Sequence, residues 1–265
     1  MNQVTSADGT PIAFDSFGDG PPVIVVGGAT CDRAMTRPLA EELAQHRFTV
    51  INHDRRGRGD SGDTAPYAVE REVEDLGALI AEAGGTASVY GHSSGAGLVL
   101  HAGAHGLPIT RLVLHDPPFT PDGEEERRVA REYAEELEAL LSEDRRGDAI
   151  ELFMRLVGMS QAMVEGMRES PMWAGLEAVA PTLAYDSEVM GDLSRGGTVP
   201  VDLAGRVTPP ALVLVGGADH GFMIDTGRQL ADAMPSGRLS GMEGQEHVVP
   251  PGVLAPVLAE FFADA

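Results

Sequence analysis

The sequence contains no lysine, because all 19 of its cationic side chains are arginines. A Schiff-base lysine and the phosphate-binding lysine of a P-loop are therefore both excluded. The 19 arginines stand against 41 acidic residues, and the formal net charge is −22. Nucleic acids and anionic membranes are bound through basic patches, which this balance disfavours. We therefore expect a small-molecule substrate, with neither nucleic acid nor a membrane as a partner.

Cysteine and long apolar runs are also scarce. Cys31 is the single cysteine, which excludes an internal disulfide framework and a multi-cysteine zinc site. No apolar run approaches the ~18 residues that span a bilayer, and the first residues lack the basic and apolar regions of a secretory signal. These absences predict a cytoplasmic protein. The length suits one domain with an insertion, and the sequence does not decide between a monomer and a homodimer.

Short runs of valine, isoleucine and leucine alternate with helical patterns along most of the chain. A hairpin turning at Asp8 and Gly9 is followed by strands predicted at 23–27, 48–52, 87–90, 111–115, 211–215 and, more weakly, 238–242. Helices are predicted near 37–46, 69–83, 94–105 and 225–234, and from Pro250 or Pro251 to Phe262. This pattern indicates an α/β protein with a mostly parallel central sheet that is flanked by helices on both faces.

Between residues 117 and 208 the alternation stops, and the sequence indicates helices and loops. Residues 124–141 read as a charged amphipathic helix. Met159, Met163 and Met167 recur every four residues, which predicts that they share one helical face. Two interpretations of this stripe stay open: it packs the insertion onto the body, or it forms an adaptable wall of a substrate pocket.

Two adjacent serines lie between a predicted strand and a predicted helix, in the segment Gly-His-Ser-Ser-Gly at 91–95. The segment fits G-x-S-x-G, whose central serine occupies a sharp strand-to-helix turn. Glycines two positions away on either side remove side chains that would collide with neighbouring backbone. Ser93 is therefore the predicted nucleophile, and Ser94 is predicted to contribute its backbone N–H to an oxyanion hole. The glycine-rich phosphate motifs are absent, and a plain glycine-rich turn is the remaining alternative.

A serine nucleophile needs a base and an acid that orients the base. Asp219 follows the predicted strand at 211–215, and His247 precedes the last helix. The order Ser93, Asp219, His247 is the order expected when the nucleophile lies on a strand–turn–helix segment. Asp116, at the end of the strand at 111–115, competes with Asp219 for the orienting role.

These motifs resemble the α/β-hydrolase family, in its serine esterase or cofactor-free haloperoxidase-like branch, over essentially the whole chain. The segment Asp-Arg-Arg-Gly-Arg-Gly-Asp-Ser at 54–61 is similar to a family segment that we interpret as a structural turn. The resemblance implies an α/β-hydrolase core at 1–118 and 207–265, and a helical cap at 119–206 that covers the site and selects the substrate.

The resemblance also implies a second oxyanion donor after the first parallel strand. The backbone N–H of Ala29 is the first candidate and that of Gly28 the second. Gly27 stands where the family usually has a histidine, and the change is tolerable because the donors are backbone amides.

The remaining expectations concern the substrate pocket and bound groups. His92, Met159, Met163 and Trp173 are predicted to line the substrate pocket. We expect no cofactor and no metal, since the sequence offers no H-E-x-x-H pattern or comparable ligand set.

Hydrolysis of a small, apolar ester, lactone or thioester through an acyl-enzyme is the predicted reaction. Carbon–carbon bond hydrolases, perhydrolases and hydroxynitrile lyases share the resemblance, and fold-level analogy does not choose among them. A non-catalytic small-molecule receptor is the alternative from another class, and the intact serine, acid and histidine set argues against it.

Overall fold

A computed structural model describes residues 1–217 and 221–263 of the chain. Within this part, one sheet contains the strands β1 (Asn2–Thr5), β2 (Pro11–Phe17), β3 (Pro22–Val26), β4 (Thr49–His53), β5 (Ala87–His92), β6 (Ile109–His115), β7 (Ala211–Gly217) and β8 (Gly237–Gln245). Their order across the sheet is β1-β2-β4-β3-β5-β6-β7-β8. The pairs β1–β2 and β2–β4 are antiparallel, and the other pairs are parallel. The six strands β3 to β8 are therefore parallel to one another, and their carboxyl ends lie at one edge of the sheet, where ligands bind in such sheets.

The described helices are α1 (Arg33–Ala44), α2 (Val69–Glu82), α3 (Ser94–Ala104), α4 (Glu124–Ser142), α5 (Arg146–Leu156), α6 (Gln161–Arg168), α7 (Trp173–Val179), α8 (Leu183–Met190), α9 (Asp192–Arg195), α10 (Val201–Ala204), α11 (Gly221–Ala233) and α12 (Pro251–Ala263). A 3₁₀ turn, Ala180–Thr182, precedes α8. None of these helices is both long and apolar enough to cross a membrane.

The central strands are apolar on both faces because helices cover both faces. In β3, Ile24 and Val26 belong to one core cluster while Val23 and Val25 belong to the other, and all four are 0% exposed. The first cluster lies under α2, α3 and α11, and the second under α1 and α12. Each such side chain contributes about 1.5–3 kcal/mol when it is fully buried. This double burial explains the continuous apolar runs from which a parallel sheet was predicted.

Helices α4 to α10 form the insertion between β6 and β7, and most of them pack around an apolar cluster of their own. Its fully buried members include Ile150, Val164 and Leu183. Helices α8 and α10 differ, because Val189 and Met190 near the end of α8, and Leu203 and Ala204 on α10, belong to the core of the body. The insertion is therefore joined to the body through α8 and α10. The division into core and cap at residues 119 and 206 stays a prediction.

The strands and the helices of the body occur where the sequence predicted them, with bounds that differ by a few residues. The largest differences are at α1 and α11, which begin at Arg33 and Gly221, each four residues before the predicted start. At α1 the reason is its cap. Asp32 is the N-cap of this helix, and its carboxylate accepts hydrogen bonds from the N–H groups of Ala34 and Met35 at 3.0 and 3.1 Å. A capped first turn extends a helix beyond the stretch with an apolar period.

Candidate active site

Ser93 occupies the turn between β5 and α3. Its backbone angles are φ 57° and ψ −127°, a region that residues other than glycine rarely adopt. The Ser93 N–H donates a hydrogen bond to the carbonyl oxygen of His115 on the neighbouring strand, at 2.9 Å. Strained turns of this kind persist where the surrounding packing enforces them, and they concentrate at functional sites.

Close backbone approaches surround the serine and explain the nearby glycines. A Cβ at Gly91 would lie 2.4 Å from the carbonyl oxygen of Gly95, and a Cβ at Gly95 would lie 2.6 Å from the carbonyl oxygen of Gly27. A Cβ at Gly28 would lie 2.9 Å from the Cβ of Ser93 and 3.5 Å from its hydroxyl oxygen. The loop after β3 therefore lies directly against the turn at residues 91–95, the predicted nucleophile turn.

Asp116 and His247 lie in contact at the same edge of the sheet. Asp116 follows β6, and its Oδ2 lies 3.3 Å from Nδ1 of His247. Its other oxygen, Oδ1, accepts a hydrogen bond from the Gly216 N–H at 2.8 Å. The Asp116 side chain is 2% exposed and the His247 side chain 37% exposed. A buried, doubly contacted carboxylate is thus directed at the histidine, whose ring reaches the surface of the site.

The surroundings of Asp116 favour its charged form. Burial raises the pKa of this carboxyl group, but the hydrogen bond from His247, the neighbouring His115 and the Gly216 N–H outweigh burial and hold the pKa below its usual value. Asp116 is therefore a carboxylate at neutral pH, which suits a group that orients an imidazole and stabilises its protonated form.

Two further histidines pack beside this pair and stay neutral at pH 7. Burial is the main reason that the pKa of His92 falls to about 3 and that of His115 to about 4. The Nε2–H of His92 donates a hydrogen bond to the carbonyl oxygen of His247 at 2.9 Å, and the two rings lie 4.6 Å apart. His92 therefore fixes the backbone of His247, and this contact brings His247 next to the nucleophile turn.

The structure brings most of the predicted site residues to one edge of the sheet. Ser93, Ser94 and Gly28 meet at the turn, while His247 lies beside His92. In the described part of the chain, no hydrogen bond joins the Ser93 hydroxyl to His247. Asp219 lies outside the described residues, so its predicted role stays a prediction. Among the described residues, the carboxylate that contacts His247 belongs to Asp116, which competes with Asp219 for the orienting role.

The predicted pocket residues of the insertion are divided between its interior and its surface. Met159 and Trp173 are half-buried against the apolar cluster of the insertion, and Ala29 packs against the same cluster from the oxyanion loop. Met163, in contrast, is 56% exposed. The expected single methionine face is wrong, because α6 begins only at Gln161, after Met159, and turns Val164 inward.

Sequence reasoning missed a buried ionic cluster next to Ser94. The Ser94 hydroxyl donates a hydrogen bond to Asp186 on α8 at 2.7 Å, and the guanidinium groups of Arg55 and Arg58 contact the same carboxylate. The segment at 54–61 is indeed a turn, but two of its arginines also reach the site. The sequence feature that could have predicted this buried cluster is the presence of three arginines within four positions of a strongly acidic chain.

Fold and site together define a class of protein: a mostly parallel α/β sheet with a strained serine between a central strand and its helix, and with a histidine after the last strand. Residues 15–256 match the model of the alpha/beta hydrolase family, and the chain belongs to that family. The predicted family and fold are thereby confirmed, and family membership indicates a hydrolase.

Known proteins resemble the chain to different extents. The crystal structure of an alpha/beta hydrolase from Sphaerobacter thermophilus DSM 20745 is 51% identical, covers 99% of this chain and 100% of its own, and superposes with a TM-score of 0.88. A thermophilic esterase from Thermogutta terrifontis is 25% identical over 98% of this chain and 96% of its own, with a TM-score of 0.69. A non-heme haloperoxidase from Rhodococcus erythropolis is 33% identical over 101 residues, which are 37% of this chain and 37% of that protein.

Proposed function

We propose that the protein hydrolyses small, apolar carboxylic esters, lactones or thioesters through an acyl-enzyme formed on Ser93. The observation that carries the proposal is the strained backbone of Ser93, whose side chain lies against Gly28 of the loop after β3. A serine held in this way is exposed to a carbonyl carbon, while backbone N–H groups on either side of it are available to the carbonyl oxygen.

In the proposed mechanism, His247 removes the proton of Ser93 as its oxygen attacks the carbonyl carbon. The N–H groups of Ser94 and Ala29 donate hydrogen bonds to the oxyanion, with Gly28 as the alternative to Ala29. The protonated His247 then gives its proton to the leaving group, and a water molecule activated by the same histidine hydrolyses the acyl-enzyme. Asp116 orients His247, a role supported by the 3.3 Å contact between them.

The apolar character of the proposed substrate rests on the surroundings of the oxyanion loop. Ala29 packs against the apolar cluster of the insertion, together with Met159 and Trp173. Pockets lined by such side chains favour alkyl and aryl groups. The esterase from Thermogutta terrifontis supports an ester as the bond that is cleaved.

A panel of chromogenic esters, lactones and thioesters tests this proposal. We expect Ser93→Ala to reduce kcat/KM for the best substrate by a factor of about 10³ or more, and a fluorophosphonate probe to label the wild-type protein but not this variant. Ser88→Ala is the matched control, because Ser88 lies on the same strand and bonds to Thr110 at 2.8 Å, away from the turn; its rate should stay within about threefold. Near-normal turnover by Ser93→Ala would refute the mechanism, and failure of the probe to label folded wild-type protein would favour a receptor.

Perhydrolysis is a second candidate, favoured by the match to the non-heme haloperoxidase. In this reaction hydrogen peroxide replaces water in the second step and releases a peroxyacid. Bromination of monochlorodimedone in the presence of acetate, bromide and hydrogen peroxide would report it, and the signal should disappear in Ser93→Ala. Ester hydrolysis without any bromination would leave hydrolysis as the sole reaction.

A further inference from the structure

Four buried charged residues lie directly behind the proposed oxyanion hole. Arg55 donates hydrogen bonds from Nε and Nη2 to the two oxygens of Glu72, each at 2.7 Å. Asp186 accepts from Nη1 of Arg55 at 2.7 Å and from Nη2 of Arg58 at 2.8 Å. All four side chains are at most 8% exposed. Two positive and two negative charges balance, which is the condition under which such a cluster can stay buried.

Arg58 extends this cluster to the oxyanion loop. Its Nη1 donates a hydrogen bond to the carbonyl oxygen of Gly28 at 2.5 Å. That oxygen and the N–H of Ala29 belong to one planar trans peptide, in which the two groups point in opposite directions. The hydrogen bond from Arg58 therefore fixes the direction of the Ala29 N–H, the proposed oxyanion donor.

Asp186 reaches the second proposed donor as well. Its Oδ1 accepts a hydrogen bond from the hydroxyl of Ser94 at 2.7 Å, and the N–H of Ser94 is the donor on the other side of the oxyanion. One carboxylate therefore holds the Ser94 side chain directly and the Gly28–Ala29 peptide through Arg58. Arg55, whose guanidinium is fixed by Glu72, holds the carboxylate from the side.

Asp186 itself has a fixed position relative to the nucleophile turn, because α8 lies closely along α3. A Cβ at Gly97 would lie 3.0 Å from both Met190 and Val189, so the two helices meet with little space between them. Further along α3, the Nε2–H of His101 donates a hydrogen bond to the carbonyl oxygen of Val189 at 3.2 Å. Ser94, Gly97 and His101 share one face of α3, as expected for residues at helical spacing.

We propose that Arg58 and Asp186 are positioning residues that orient both oxyanion donors, and that through them the insertion helix α8 controls the geometry of the oxyanion hole. This proposal rests on the proposed function, since it assumes a reaction with an oxyanion at Ser93.

Arg58→Lys tests the proposal against a matched control. Lysine keeps the charge but cannot contact Asp186 and Gly28 at once with the planar fork of arginine. Arg56→Lys is the control, because Arg56 is equally buried and equally paired, with Asp75 at 2.7 and 2.8 Å. The other described contacts of Arg56 go to Asp8 and to the Arg71 carbonyl, away from the oxyanion loop.

Three quantities are measured at a temperature at which all variants are folded: kcat, KM, and the inhibition constant of a trifluoromethyl ketone. Addition of the Ser93 oxygen to this ketone converts its carbonyl oxygen into an oxyanion, and the serine proton passes to His247. We expect Arg58→Lys to reduce kcat by about 100-fold, to weaken the inhibitor by a similar factor, and to change KM by less than about threefold. Arg56→Lys should leave kcat and the inhibition constant within about threefold of the wild-type values.

Ser94→Ala provides a second test that leaves every buried charge paired. It removes the link between Ser94 and Asp186 while keeping the Ser94-position N–H, and we expect a decrease of kcat by about tenfold with little change in thermal stability. If Arg58→Lys matches Arg56→Lys in kcat and inhibitor binding, or if it does not fold and Ser94→Ala keeps the wild-type kcat, the positioning role is refuted. A wild-type protein without turnover and without labelling of Ser93 would instead refute the proposed function.

Discussion

Ser93, Asp116 and Thr30 share a backbone feature that sets them apart from most of the chain. Each has a positive φ, of 57°, 45° and 59° respectively, although none is a glycine. Ser93 is the proposed nucleophile, Asp116 contacts the proposed base, and Thr30 follows the proposed oxyanion donor Ala29. The backbone is therefore strained after three separate strands, at the edge of the sheet that holds the site. Such strain directs side chains and N–H groups to positions that a relaxed backbone would not give them.

The identity of the orienting acid can be tested at the level of single residues. We expect Asp116→Asn to reduce kcat for the best ester by a factor of about 10³ to 10⁴, because the amide no longer stabilises a protonated His247 and can favour the wrong tautomer. The asparagine can still accept the hydrogen bond from Gly216 and should fold. The same measurement on Asp219→Asn should give a loss below about tenfold. The reverse order of the two losses would assign the role to Asp219.

Helix α8 is the element on which the coupling between insertion and body depends. Its amino-terminal half carries Asp186, which contacts the nucleophile turn, and its carboxyl-terminal half buries Val189 and Met190 in the core of the body. Helices α4 to α7 pack around a separate cluster, which Leu183 at the start of α8 also joins, while α10 packs against the core of the body. An element that takes part in both structures transmits a change in the insertion to the site.

Gly97 offers a test of this close packing between α8 and α3. We expect Gly97→Leu to lower the free energy of unfolding by about 1–3 kcal/mol, because the new side chain has to displace α8. It should also lower kcat, since Asp186 moves with the helix. Gly166→Leu on α6 is the matched control: nothing lies within 4 Å of the position of its Cβ, and leucine should stabilise α6 by up to about 1 kcal/mol. Urea unfolding and steady-state kinetics measure both effects, and equal behaviour of the two variants would contradict the expectation.

Charge is the property that characterises the whole molecule. The formal net charge of the chain is −22, while buried arginines are paired with carboxylates and burial keeps His53 and His115 neutral at pH 7. Burial lowers the pKa of His53 and of His115 to about 4, whereas an unfolded chain protonates histidine near pH 6.5. Between these values the unfolded state binds more protons than the folded state, so stability falls as the pH falls from about 6.5 to about 4.

This linkage predicts a measurable loss of stability in mild acid. From pH 6.5 to pH 5, His53 and His115 should each reduce the free energy of unfolding by about 1.6 kcal/mol. His53→Gln removes one of the two groups, while the glutamine amide can still donate to the Val25 carbonyl that His53 contacts at 3.1 Å. Urea unfolding at several pH values should therefore show a shallower pH dependence for His53→Gln than for the wild type. Parallel curves for the wild type and His53→Gln would show that His53 does not cause the loss of stability in mild acid.

Much of the fold was predictable because its signals are local. Strands buried on both faces require continuous apolar runs, and a tight strand-to-helix turn requires glycines at 91 and 95 whatever the remainder of the chain does. The prediction that the three methionines share one helical face was wrong, because the repeat of four residues spans Ser160. This residue caps α6, so Met159 lies before the helix begins.

The sequence by itself determined the sheet and the position of the turn that carries Ser93, since both depend on residues adjacent along the chain. Only the tertiary structure decided that Asp116 contacts His247 and that Asp186 joins Arg58 to Ser94. These partners are separated by between 92 and 131 positions, and carboxylates are abundant in an acidic chain. Which carboxylate meets a given base is set by where strand ends and helix faces come together, and this is fixed by packing of the whole molecule.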